Sequence, residues 1–159
     1  MKLHHSIVAA VATLWAASAI VACAGAQAPQ TTAEKALATK ADDPSLQWGP
    51  CPPVLPGDCR IAVLHGDPSR PNADVFLRVG AGYAIANHIH TSAERMILVS
   101  GQLQVQYKGS APAILTPGQY AYGPAKAPHG GKCVSSTPCT LFIAFEGPVD
   151  AEAFAGSLD

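Results

Sequence analysis

Through most of the chain, apolar and polar residues alternate with a period of two rather than 3.6. The alternation is clearest over Gln102-Leu103-Gln104-Val105-Gln106-Tyr107, where three glutamines face one way and the apolar residues the other. That is the pattern of a half-buried strand. Further strand candidates are Arg60–His65, Ala73–Val79, Tyr83–His90, Arg95–Ser100, Ala113–Leu115, Gln119–Tyr122 and Thr140–Glu146. Turn signals separate them: Gly66-Asp67-Pro68, Gly80-Ala81-Gly82, Ser100-Gly101, Lys108-Gly109, Pro117-Gly118 and Gly147-Pro148. Short strands at this spacing predict an all-β sandwich or barrel. Val149–Phe154 fits either a short terminal helix or a final strand, and no internal repeat interrupts the series.

The pattern is different at the start. Ile7 to Ala22 runs without a charge behind Lys2. The run is short for a membrane span, which needs about 20 residues, and fits the apolar region of a secretory signal. Two cut sites fit. Ala24-Gly25-Ala26 would leave Gln27 first, whereas Ile20-Val21-Ala22-Cys23 resembles a bacterial lipobox, in which the cysteine is lipidated. The lipobox is the preferred reading, and an uncleaved anchor helix is a third. Residues 1–26 are thus expected to be a signal peptide, and the protein to be exported to the periplasm or cell envelope. A lipid on Cys23 would be its membrane attachment. Residues 27–46 hold few large apolar side chains and are expected to be a flexible tether. Residues 47–159 are expected to fold.

Composition narrows the function classes. A length of 159 residues allows one domain. A net charge of −1 leaves no basic excess for nucleic acid, and the 48% apolar content excludes a highly charged disordered chain. Gly and Pro number 14 each against 4 Phe and 4 Tyr, which suits turns and strands rather than a helical bundle. Five cysteines are an odd count for an exported chain. Either cut site takes Cys23 out of the count and leaves Cys51, Cys59, Cys133 and Cys139. Neither close pair has C-x-x-C spacing, so local disulfides Cys51–Cys59 and Cys133–Cys139 are favoured over zinc or redox motifs. Each would contribute about 2.5 kcal/mol through loop closure. Cross-pairing is the alternative, and Cys133 as a metal ligand a remote one.

Beyond the signal the histidines are His65, His88, His90 and His129. In His88-Ile89-His90 a strand would point both imidazoles to one face. Glu94 follows across an expected tight turn, Thr91-Ser92-Ala93, and can offer a carboxylate from a neighbouring strand. His129 lies further on, after Pro128. Three imidazoles and a carboxylate suit Mn, Fe, Co, Ni, Zn or Cu(II), and suit Ca or Mg poorly.

Gly82, five residues, His88-Ile89-His90, three residues, Glu94, six residues and Gly101 together resemble the first cupin motif with every fixed position filled. After sixteen intervening residues, Gly118, five residues, Pro124 and then His129 are similar to the second motif. Lys126 and Cys133 stand where that motif has a glycine and an asparagine. The resemblance spans about Val75 to Phe145. It implies a double-stranded β-helix, the cupin jelly-roll barrel, holding one divalent transition metal (Fe, Mn, Ni or Zn) through His88, His90, Glu94 and His129. It also implies turn roles for Gly82 and Gly101. A barrel keeping these residues as a polar core without metal is the alternative, at the cost of burying unpaired polar groups.

Other residues carry weaker signals. His65 reads as a surface or capping histidine. Tyr83, Met96, Leu98, Tyr107, Tyr122 and Phe142 are candidates for a cavity lining, with core packing as the other reading. Arg78 alternates with Val75, Leu77 and Val79 and is expected to face outward; turned inward it could bind an anion. Glu146 and Lys126 are candidate acid/base partners. Outside Glu94 the barrel region offers no clear inward base, which favours oxygen activation or Lewis-acid chemistry over acid/base isomerisation. The expected function is a metal-dependent enzyme, dioxygenase-type or lyase, on a small organic molecule. The alternatives are a non-catalytic metal or small-ligand binding module of the cell envelope, and a structural protein with a closed site. Dimers are common in the resembled family, although no residue here argues for a homodimer.

Overall fold

Strands form where the period-two pattern predicts them. The computed structural model describes residues 35–159. The expected signal peptide, Cys23 and the first part of the expected tether lie outside the described residues. Among the described residues there are eleven strands: β1 (Trp48–Pro50), β2 (Cys59–His65), β3 (Ala73–Val79), β4 (Ala84–Ile89), β5 (Glu94–Ser100), β6 (Leu103–Tyr107), β7 (Ala113–Leu115), β8 (Tyr120–Gly123), β9 (His129–Cys133), β10 (Cys139–Phe145) and β11 (Glu152–Ala153). None of the described residues forms a helix long and apolar enough to cross a membrane. Val149–Phe154 resolves to the short strand β11. β1 and β9 were not signalled by alternation.

Two antiparallel sheets stack as a jelly roll. One has the order β1-β2-β3-β10-β5-β8, the other β11-β4-β9-β6-β7. Alternation decides which residues face the space between them. On β3, Val75, Leu77 and Val79 are buried there, and so are Met96 and Leu98 on β5, Leu103 and Val105 on β6, and Leu141, Ile143 and Phe145 on β10. Each such side chain contributes roughly 1.5–3 kcal/mol by leaving water.

Arg78 faces outward, as its place in the alternation requires. It donates from Nε to Thr140 Oγ1 at 3.3 Å and from Nη2 to the Ala41 carbonyl, and it lies over the Trp48 ring. The link to Ala41 draws part of the expected tether onto the domain. Residues 38–46 belong to the compact unit Ala38–Asp159, with turn bonds from Asp43 N to Lys40 O and from Leu46 N to Asp43 O. Composition hid this contact because it uses a backbone carbonyl, not an apolar side chain.

Both local disulfides form, with Cα–Cα distances of 5.5 Å for Cys51–Cys59 and 5.7 Å for Cys133–Cys139. Cys133 is therefore not free to ligate a metal. Gly101 adopts a positive φ, and an added Cβ there would meet Cys139 Sγ at 2.8 Å. Only glycine fits that turn beside the second disulfide.

Candidate metal centre

The turn Thr91-Ser92-Ala93 carries the chain from β4 in one sheet to β5 in the other. It places His88 on β4, His90 one residue past its end, and Glu94 at the start of β5. His129 opens β9, which pairs with β4 so that His88 and His129 stand directly opposite. One ring nitrogen from each of the three histidines lies within 4.8 Å of the others, and all three residues are buried. Ring centroids are 4.2 Å apart for His88–His129 and 4.8 Å for His88–His90.

Glycines make room for this cluster. On β9, an added Cβ at Gly130 would sit 2.5 Å from Asn87 Oδ1, and at Gly131 it would sit 2.4 Å from the Gln104 carbonyl oxygen. β9 can approach β4 and β6 this closely because both positions lack a Cβ. At Gly123, opposite Glu94 in the β5–β8 ladder, a Cβ would lie 2.9 Å from Glu94 Oε1.

Hydrogen bonds fix the orientation of the rings. His88 Nδ1 lies 2.7 Å from the Ala86 carbonyl oxygen, and His129 Nδ1 lies 2.9 Å from that of Ala127. His90 Nδ1 bonds the Asp150 carbonyl. A carbonyl only accepts, so each Nδ1 carries a proton, and each neutral ring keeps an unprotonated Nε2. Nε2 of His129 lies 3.1 Å from Glu94 Oε1, and Nε2 of His90 lies 3.4 Å from Oε2. A lone pair facing a carboxylate oxygen is repulsive unless positive charge, a proton or a metal ion, sits between them. Oε1 is buried and has no well-directed hydrogen-bond partner despite its nearness to His129.

Ionisation follows the same demand. Burial raises the Glu94 carboxyl, but the contacts to His129 and His90 outweigh it and hold the group down to about 2. Burial, reinforced by His129, lowers His88 to about 4, so it is neutral at pH 7. Burial also lowers His90, but Glu94 and the Asp150 carbonyl outweigh it and the net shift is upward. Burial, and then the charge of Glu94, pushes the Tyr107 hydroxyl far up; the ring packs 5.3 Å from that of His129.

The cluster opens into a pocket with about 620 Å³ of empty space, its mouth included. The pocket walls are aliphatic, among them Val75, Leu77, Met96, Leu141 and Ile143.

A family model described as a cupin domain matches residues 75–145. This is a cupin-domain protein. Among solved structures it is similar to the DMSP lyase DddQ from Ruegeria pomeroyi DSS-3, with 19% identity, a TM-score of 0.61, and 70% of this chain and 64% of that one covered. It is also similar to an RmlC-like cupin from Shewanella frigidimarina NCIMB 400, with 20% identity, a TM-score of 0.54, and 65% and 85% covered. An oxalate oxidase in complex with glycolate matches at 15% identity and a TM-score of 0.54, with 66% and 59% covered. These likenesses show the fold. The match spans under two thirds of the DMSP lyase chains. Comparison with curated proteins finds no match.

Within the cupin, the other sequence candidates scatter. Met96 lines the pocket and Leu98 is core. Tyr83 donates from its hydroxyl to the Pro56 carbonyl. Phe142 packs edge-on against Phe76 on the outer face, and Tyr122 is 48% exposed. Glu146 pairs with Arg95 at the surface, and Lys126 is exposed at a positive φ, where the family pattern has glycine. Neither lines the pocket. His65 is exposed at the end of β2. Sequence reasoning missed Asp150. Its carbonyl accepts from His90, and its carboxylate accepts from Thr91 N at 3.0 Å and from the Thr91 hydroxyl. It also missed Gly123, Pro52 and Leu55. A lone Asp or Gly in a loop gives no pattern from which its neighbours could be read.

Proposed function

We propose that the protein binds one divalent transition metal (Fe, Mn, Ni or Zn) through His88, His90, Glu94 and His129 and acts as a metal-dependent enzyme on a small organic molecule. One observation carries this reading. Three imidazole Nε2 atoms and a buried carboxylate oxygen without a well-directed hydrogen bond converge where a proton or a metal ion must sit between them, and this donor set matches those metals. Once bound, the metal would supply Lewis-acid or redox chemistry toward substrate or O2.

The chain's own residues would do the rest. The Ala86, Ala127 and Asp150 carbonyls orient the rings, and Thr91 holds Asp150 in place. The aliphatic walls exclude water. Apart from Glu94, Asp150 is the one carboxylate in the lining among the described residues, and Thr91 bonds to both of its oxygens. A reaction that needs no separate side-chain base is therefore favoured, and a dioxygenase-type reaction is our first assignment. The DMSP lyase and oxalate oxidase neighbours support small-molecule chemistry on this fold. The lipobox-like Ile20–Cys23 and the two disulfides support a place in the cell envelope, where a lipid on Cys23 would be the anchor. The shortage of acid/base residues also supports a second reading, a non-catalytic binding module.

The test is elemental analysis of the full chain, purified without chelators, beside His88→Ala. We expect about one transition metal per wild-type chain and at least tenfold less in the variant. An equal metal content in both would overturn the ligand set. No metal in wild type after reconstitution with Fe, Mn, Ni and Zn would overturn the metal centre itself.

A further inference from the structure

Two groups of residues line the pocket. One comes from the barrel strands. The other comes from segments outside the family match at 75–145: Pro52 and Leu55 from the loop between Cys51 and Cys59, and Val149, Asp150 and Ala151 from the stretch before β11. Leu55 belongs to a loop, yet it is only 6% exposed and joins the core cluster.

That loop is held at several points. The Cys51–Cys59 disulfide ties its ends, and Leu55 N donates to Pro52 O at 2.9 Å. The Tyr83 hydroxyl donates to Pro56 O at 2.7 Å, and Gly80 N donates to Asp58 O at 3.0 Å. A buried side chain on so constrained a loop cannot swing aside as a mobile lid would. It is a fixed wall.

The charges of the lining are equally restrictive. Among the described residues no lysine or arginine lines the pocket. The polar lining side chains are the three histidines, Glu94 and Asp150, with both Asp150 oxygens engaged by Thr91. A second anionic group on a ligand would find no counter-charge and would lie among aliphatic walls, a costly burial. An apolar body would gain from the same walls.

We propose that the pocket takes a molecule with one polar head, directed at the His/Glu cluster, and an uncharged apolar body whose length Leu55 limits. This rests on the reading of the cluster as a substrate-facing metal centre. The Cys51–Cys59 loop is then a specificity element added to the barrel.

The experiment uses the full chain loaded with Zn(II), titrated calorimetrically with straight-chain monocarboxylates of increasing length and with the matching α,ω-dicarboxylates. We expect affinity to rise about fourfold per methylene up to a limiting length. Dicarboxylates should bind at least tenfold more weakly than monocarboxylates of the same length. Leu55→Ala should raise the limiting length by about two carbons, and Leu55→Phe should lower it. Leu55→Met, which keeps the volume, stands in for Leu55→Ala if the smaller residue prevents folding; it should leave the limit within one carbon of wild type while Leu55→Phe lowers it. A limiting length unmoved by Leu55→Phe, or dicarboxylates that bind equally well, would overturn the proposal. Zinc content is measured on the same samples. If zinc does not bind, the metal reading has failed, and n-alkanols on the metal-free protein test the wall alone. A chain-length limit that moves with residue 55 supports the proposal, and the absence of such a limit overturns it.

Discussion

The six-stranded sheet takes its order from side chains, whereas the five-stranded sheet takes its order from how closely its backbones approach. β3, β5 and β10 alternate large apolar residues inward with polar or partly exposed ones outward, apart from the Phe76–Phe142 pair on the outer face. β4 and β9 carry Ala-Ile-Ala-Asn-His-Ile and His-Gly-Gly-Lys-Cys, sequences with little apolar weight. Their backbones pair closely: an added Cβ would meet the Gln104 carbonyl at Gly131 and the Asn87 side chain at Gly130. One sheet holds most of the buried apolar strand residues, and the other sets two of the three histidines opposite each other. Stability and chemistry are therefore separable, at least in part, by substitution.

The strongest way to break this comparison is Leu141→Ala, which truncates a fully buried residue of the larger sheet. We expect a loss of about 2–5 kcal/mol and a Tm lower by roughly 10 °C, with metal content per folded chain unchanged. Calorimetry with elemental analysis checks both, and loss of the metal from folded protein would show that the two sheets are not separable.

Acid should act on the site rather than on the apolar core. In the metal-free protein Glu94 titrates at about 2 against an ordinary 4.5, so its contribution is complete above about pH 4.5 and is lost as pH falls toward 2. That contribution is on the order of 3 kcal/mol. His88, lowered from 6.5 to about 4 chiefly by burial, is neutral in both states above pH 6.5 and costs the fold increasing stability as pH falls from 6.5 toward 4. His90 is raised and works in the opposite sense: its contribution is full below 6.5 and fades as pH rises through its folded value. Denaturant midpoints of metal-free protein should therefore fall steadily from pH 6.5 to pH 3. A flat profile over that range would remove the electrostatic account of the cluster.

Gly131→Ala probes the backbone fit of the smaller sheet. The new Cβ would meet a carbonyl oxygen that cannot rotate away, so we expect a cost of about 1–3 kcal/mol and weaker metal binding through displacement of His129. Gly130→Ala, whose closest contact is the movable Asn87 side chain, should cost less. Equal effects, measured by denaturation and metal titration, would argue against close approach as the cause.

The smallest effect concerns Lys126, which holds a φ of 61°. Left-handed backbone costs a non-glycine residue about 1–2 kcal/mol, and glycine returns part of that gain through its freer unfolded state. Lys126→Gly should stabilise the domain by about 0.5–1 kcal/mol. A denaturation midpoint that falls instead would show that the lysine side chain contributes more than the strain costs.

From the sequence by itself came the all-β class, every strand but β1, β9 and the ambiguous β11, the two local disulfides, and the His-x-His and Glu94 spacing that led to the cupin motifs. These are short-range signals: side-chain direction repeats every two residues, and a short loop brings its cysteines together whatever the rest of the chain does. The tertiary structure decided the rest. β9 became a strand by pairing with β4 and β6, which lie far from it in the chain. Nδ1 of His90 was committed by the carbonyl of Asp150, sixty residues away in sequence. Leu55 entered the pocket because Tyr83 and a disulfide fold its loop inward, and Arg78 was claimed by Ala41 and Trp48. Each of these depends on contact between segments far apart in the chain, where no local periodicity can record the partner.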